Sequence, residues 1–127
     1  MSSSVPFAEL QSYQYINLTT FRKSGVAVPT PVWFALGNDC MYILTVDNSG
    51  KVKRIRNNPQ VTMVPSDSRG RELEGTPTLQ GQATIVPFDE KGPGHRTLYA
   101  KYGWMYKAFE IIWRVRRITP VIIEVRP

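Results

Sequence analysis

YILTVDNSGKVKRIRNNP, residues 42–59, changes its hydrophobic period halfway along. Residues 42–46 form an apolar, β-rich run, and Asp47, Asn48, Ser49 and Gly50 are turn formers and helix N-caps. Beyond them Val52 and Ile55 are spaced to bury one face of a helix, which leaves Lys51, Lys53, Arg54 and Arg56 on the others. Asn57, Asn58 and Pro59 stop that helix. The stretch therefore reads as a strand feeding a short helix. The first amides of a helix have no intrahelical acceptor, and the macrodipole places partial positive charge beside them. An anion at this junction gains from both effects. Ser49 can add a hydroxyl, Gly50 lets the backbone approach closely, and Lys51 brings a full charge. Thr45, at the end of the incoming strand, could reach the same anion. A capped surface helix with a solvated basic face fits these residues equally, and the P-loop spacing G-x-x-x-x-G-K-[ST] is missing.

Upstream, residues 15–22 and 26–36 read as two strands joined at Lys23-Ser24-Gly25, where the glycine permits the positive φ of a hairpin turn. In the first of them Ile16, Leu18 and Thr20 face one way and Tyr15, Asn17, Thr19 and Phe21 the other. The second carries Pro29 and Pro31 around Thr30. Proline cannot donate to a ladder, so this segment is an edge, a bulge, or a place where something other than a strand lies alongside. Val32, Trp33 and Phe34 follow, and Trp33 is either core packing or a surface for a flat ring system.

Gly37-Asn38-Asp39 turns the chain into residues 40–46, and residues 61–64 form a fourth strand. Residues 66–77 read as a mobile polar surface loop. Residues 78–86 alternate as a fifth strand, with Gly81 marking a bulge or the close approach of another backbone, and residues 121–126 make a sixth. From about Arg96 a helical pattern takes over: Leu98, Tyr102, Met105, Phe109, Ile112 and Trp113 recur at three- and four-residue steps, and Gly103 weakens or splits the helix. This basic, aromatic helix is expected to pack on the sheet or on a partner subunit and not on a membrane. Near the start, residues 7–11 read as a short helix with Ser4 as its cap and Pro6 in its first turn.

The chain has 127 residues, enough for one domain spanning 1–127. No apolar run approaches the ~20 residues of a membrane span, and the first residues lack the pattern of a signal peptide, so a cytoplasmic protein is expected. Cys40 and His95 are the only cysteine and histidine. That excludes an internal disulfide and removes most candidates for a metal site or a histidine-based catalytic pair; no metal ligands and no catalytic residues are assigned. Cys40 reads as a small apolar strand residue and His95 as a solvated residue in a turn. The formal charge of +6 argues for an acidic partner. A nucleic-acid surface fits poorly, because the basic residues sit on a capped helix and do not interleave with aromatics on a strand face. The fold class is mainly β: six strands with helices outside form a small antiparallel barrel. Such a centre fills with side chains, so binding belongs on the outer wall or in a groove between subunits.

The whole chain resembles the pyridoxamine-phosphate-oxidase-like FMN-binding split β-barrel superfamily. The residues that carry the likeness are L-T-T-F-R-K-S-G-x-x-V-P-T-P-V-W-F, 18–34, and S-G-K-V-K-R-I-R-N-N-P-x-V, 49–61, with Arg69-Gly70 and residues 80–83 adding to it. The pattern is similar to the branch of enzymes that depend on the deazaflavin coenzyme F-420. The resemblance implies a six-stranded split barrel and a homodimer that holds its cofactor between subunits, with no nucleic acid or membrane as partner. It implies an oxidoreductase passing hydride between FMN, or alternatively coenzyme F-420, and a small organic substrate; a non-catalytic flavin or haem carrier is the alternative on the same fold. It carries phosphate binding to Thr45, Ser49, Gly50, Lys51, Lys53 and Arg54, and sets the ring against Thr30, Pro31, Val32 and Trp33. The C-terminal residues give no equivalent of the basic and aromatic groups that bind a vitamin B6 phosphate.

Overall fold

The computed structural model describes residues 6–89 and 91–127. Ser4, the expected cap, lies outside them, and the first helix is a single 3-10 turn, Ala8–Leu10. Seven strands follow: β1 (Tyr15–Phe21), β2 (Ala27–Trp33), β3 (Ala35–Leu36), β4 (Met41–Val46), β5 (Gln60–Ser66), β6 (Leu79–Pro87) and β7 (Pro120–Arg126). Helix α1 (Gly50–Asn57) lies between β4 and β5, and α2 (Pro93–Tyr102) and α3 (Trp104–Arg116) lie between β6 and β7. All pairings are antiparallel, in the spatial order β2-β1-β5-β6-β7-β4-β3.

The expected six-stranded barrel is thus a seven-stranded sheet that does not close. The difference arises at one residue. The single strand expected over 26–36 breaks at Phe34: before it β2 pairs with β1, and after it β3 pairs with β4. The two edges of the sheet are therefore consecutive pieces of one segment, held together by the chain and not by a ladder. Edge position also explains how Pro29 and Pro31 are tolerated, since a missing N–H on an open side interrupts no pairing.

Burial follows the period-two pattern. Ile16, Leu18, Met41, Ile43, Val61, Met63, Ile123 and Val125 are fully buried between the walls of the rolled sheet. Ile55 turns α1 onto the same core, and Val52 is fully buried on the same helix face. At Gly81 a side chain would run into Val125 and the backbone carbonyl of Arg126, which is the close approach expected there. Cys40 is fully buried just ahead of β4. The loop after β5 is tethered: Ser66 bridges Glu72, the Asp67 carboxylate accepts from the amides of Arg69 and Arg71, and the Asn17 amide donates to the Gly70 carbonyl at 2.6 Å.

Two side chains from α2 take over the backbone groups freed at Phe34. The Tyr102 hydroxyl accepts from the Phe34 N–H at 2.9 Å and lies 2.7 and 2.9 Å from the carbonyls of Phe34 and Gln14. Lys101 Nζ donates to the carbonyls of Phe34 and Tyr13, both at 2.9 Å, and stands 3.6 Å above the Phe34 ring. A buried peptide group without a partner is costly, so this pair is what allows the strand to break there.

Burial of the Lys101 ammonium lowers its pKa from 10.5 to about 8. Between those values the unfolded chain binds the proton that the folded chain has shed, so the Lys101 contribution to stability rises with pH across that window. Lys101→Met is expected to remove that part of the pH slope in chemical unfolding; a variant with the parental slope would show that this ammonium is not desolvated.

Candidate functional site

Helix α1 starts where β4 ends because Ser49 caps it. Ser49 is extended, and its Oγ accepts from the Val52 N–H at 3.4 Å and lies 3.5 Å from the Thr45 hydroxyl. Thr45 is buried. The amides of Gly50 and Lys51 begin the first turn, where a helix supplies no acceptor of its own. Arg54 folds back over this start. Its Nε donates to the Thr20 hydroxyl at 2.6 Å, and its guanidinium lies so near Gly50 that a Cβ there would stand 2.8 Å from Nη1. A glycine at 50 is therefore what lets the guanidinium lie over the first turn.

The Lys51 ammonium is held below its ordinary pKa, first by burial and then by the neighbouring Arg54 charge. Among the described residues no carboxylate lies within ion-pair distance of Lys51 or Arg54. Two cations and a helix start thus converge without a compensating negative charge, an arrangement whose electrostatics favour an anion.

From Lys51 a cleft of about 350 Å³ runs along the open edge of β2, where Pro31, Val32 and Trp33 line it. Its other wall comes from Leu44 and from α2 and α3, through Leu98, Tyr106, Phe109 and Trp113. The volume lies in the range of small-molecule sites, roughly 300–1,000 Å³, and so does the mix of aromatic lining with few polar groups. Trp33 stacks on Tyr102 with ring centroids 4.5 Å apart and planes 8° apart, and meets Phe109 edge-on at 5.0 Å. One Trp33 face is therefore occupied by the protein itself.

The structure brings Pro31, Val32, Trp33 and Lys51 to one cleft, and sets Thr45, Ser49, Gly50 and Arg54 around the helix start beside it. It does not bring all the expected residues there. Thr30 lies one residue along β2, paired with Leu18 and off the cleft lining. Lys53 is exposed on the far side of α1, because 100° per residue sets 51 and 54 together and 53 with 56; Arg56 pairs with Asp47 at 2.8 Å. The aromatic wall from α3 carried no motif in the sequence.

His95 also departs from expectation. It sits in the first turns of α2, not in a solvated loop. Its Nδ1 lies 3.0 Å from the Tyr106 hydroxyl and 3.2 Å from a carboxylate oxygen of Glu110, which is itself buried. These contacts pin α2 to α3 behind the cleft. Among the described residues no group of three or more His, Cys, Asp or Glu side chains could hold a metal ion, and no helix is long and apolar enough to cross a membrane.

No protein-family model and no curated protein matches the chain. Solved structures do. The haem storage protein HutZ from Vibrio cholerae superposes with a TM-score of 0.69 at 13% identity, over 94% of this chain and 84% of its own. An F-420 reductase gives 0.64 at 25% identity, over 94% and 90%. A candidate pyridoxamine 5'-phosphate oxidase from Listeria innocua gives 0.61 at 17% identity, over 94% and 88%.

Proposed function

We propose that the chain, whose fold is that of the split-barrel proteins it superposes on, is a flavin- or deazaflavin-dependent oxidoreductase of the pyridoxamine 5'-phosphate oxidase-like superfamily. In this reading FMN or coenzyme F-420 lies in the cleft along β2, and a second copy of the chain covers it. The observation that carries the reading is the continuity between an uncompensated cationic helix start at Lys51 and Arg54 and an aromatic-lined cleft along Pro31, Val32 and Trp33. Both cofactors join a planar ring to a phosphate through a ribityl chain, and the two ends of the cleft match those two chemistries.

The bound ring would supply hydride transfer. The chain's own residues do the rest. Lys51, Arg54 and the first amides of α1 hold the phosphate, with Ser49 and Thr45 beside them. The Trp33, Tyr102 and Phe109 cluster keeps water from one wall, and the stiff backbone at Pro31 fixes the distance between that wall and Lys51.

A flavin or haem carrier without turnover is the second reading, favoured by the likeness to a haem storage protein. The sole histidine weighs against its haem form: His95 is engaged by Tyr106 and Glu110 and does not line the cleft. Absorption titrations separate the readings. FMN or F-420 added to the purified protein is expected to shift its visible band on binding, and the complex to exchange hydride with a nicotinamide or deazaflavin donor. An intense Soret band with haem, and no response to either ring cofactor, would overturn the oxidoreductase reading.

A further inference from the structure

Helix α2 supplies partners for one residue of the sheet edge and none for the next outward one. The Gly37 N–H donates to the Cys40 carbonyl at 2.8 Å, so the residues before it alternate. Ala35 faces β4, while Phe34 and Leu36 turn their N–H and C=O to the open side. Tyr102 and Lys101 take up the Phe34 pair. Among the described residues nothing takes up the Leu36 pair in the same way. Leu36 instead lines a cavity of about 550 Å³ between β3, α2 and the turn at Gln11.

The charge on this cavity is of one sign. Arg96 and Lys101 line it, and no acid does. Among the described residues neither cation forms an ion pair. Arg96 donates one N–H to the Lys91 carbonyl at 2.7 Å, which leaves most of its donors open. The carbonyls that hold Lys101 orient its ammonium without neutralising it. Ala35, Ala100 and the Leu36 side chain supply the apolar part of the lining. None of these residues lines the cleft along β2, so the site stands apart from the cofactor reading.

We propose that this cavity binds an N-acyl amino acid, whose single residue pairs with Leu36 as a neighbouring antiparallel strand would. In a hydrogen-bonded antiparallel pair two residues exchange both of their N–H···O=C bonds. Here the ligand's amide N–H donates to the Leu36 carbonyl. Its carboxylate, in the place of a strand carbonyl, accepts from the Leu36 N–H and meets Arg96 and Lys101. The acyl group matters because a free amino group would bring a further positive charge beside two cations. A longer peptide fits poorly: β3 is two residues long, Leu36 is its one outward residue, and the Phe34 pair ahead of it is already held.

The test is an NMR titration of isotope-labelled protein with N-acetyl-L-alanine. Saturable binding is expected with a Kd on the order of 1 mM, ordinary for so small a ligand. The Leu36 amide resonance should move downfield and its proton should exchange more slowly. N-acetyl-L-alanine amide, which lacks the charge, and O-acetyl-L-lactate, which lacks the N–H, should each bind about tenfold more weakly. Free L-alanine should do the same. Arg96→Gln should weaken N-acetyl-L-alanine binding by about tenfold. It should leave the unfolding curve and the FMN or F-420 titration as in the parent, because Arg96 is exposed and off the cleft. That separates failure here from failure of the cofactor reading. Shifts that gather at Lys51 and Trp33 instead of Leu36 overturn the proposal. So does an amide or an ester that binds as tightly as the acid, or the lack of a saturable shift at about ten times the expected Kd. Tighter binding of N-acetyl-tetra-L-alanine, with new shifts beyond Leu36, overturns the one-residue fit, because the edge would then be taking a strand.

Discussion

Tyr102→Phe is expected to lower the unfolding free energy by about 2–3 kcal/mol, although it removes a single oxygen atom. The Phe34 N–H would be left buried with no acceptor, and a group stranded in that way costs its full desolvation, about 1–3 kcal/mol, beyond the bond itself. The Gln14 carbonyl loses a neighbour as well, while the Phe34 carbonyl keeps Lys101. For a chain of this length the loss corresponds to a fall in Tm of roughly 10 °C. Because Tyr102 and Lys101 share the Phe34 carbonyl, Tyr102→Phe and Lys101→Met should combine non-additively in a double-mutant cycle. A Tyr102→Phe protein as stable as the parent would mean that the break between β2 and β3 does not depend on this hydroxyl.

Lys51→Ala should weaken the binding of FMN or F-420 by about 1.5–3 kcal/mol, the range of a charged hydrogen bond, or ten- to 150-fold in Kd. The pH dependence has a definite sign. Burial and Arg54 hold the Lys51 pKa down, and a bound phosphate favours the charged ammonium. Affinity should therefore fall as pH rises through that lowered pKa, and Lys51→Ala should flatten the fall. Lys53→Ala is the internal control, because Lys53 is exposed on the other side of α1; a change within about 0.5 kcal/mol is expected. Equal losses from Lys51→Ala and Lys53→Ala would point to diffuse charge attraction instead of a defined phosphate site.

Much of this was legible in the chain because it is local. Ser49 as cap, Gly50 at the helix start, the Lys23-Ser24-Gly25 hairpin and the edge character of Pro29 and Pro31 each depend on residues within a few positions of one another. The helix split at Gly103 is of the same kind. What escaped was the phase of α3. A break in backbone rotation shifts which residues face inward, and a count carried through Gly103 assigns Ile112 to the interior and leaves Tyr106 out of it.

The sequence by itself determined the order of strands and helices, the capped strand–helix junction and the cationic residues placed on it, since propensity, capping and periodicity act along the chain. Only tertiary structure decided that the second strand would break at Phe34, that Arg54 and not Lys53 would share the helix start with Lys51, and that Trp33 would stack on Tyr102. Those outcomes rest on contacts between residues as much as 69 positions apart. A peptide group released from a ladder finds its partner wherever folding brings a hydroxyl or an ammonium, and nothing in the neighbouring sequence specifies which one arrives.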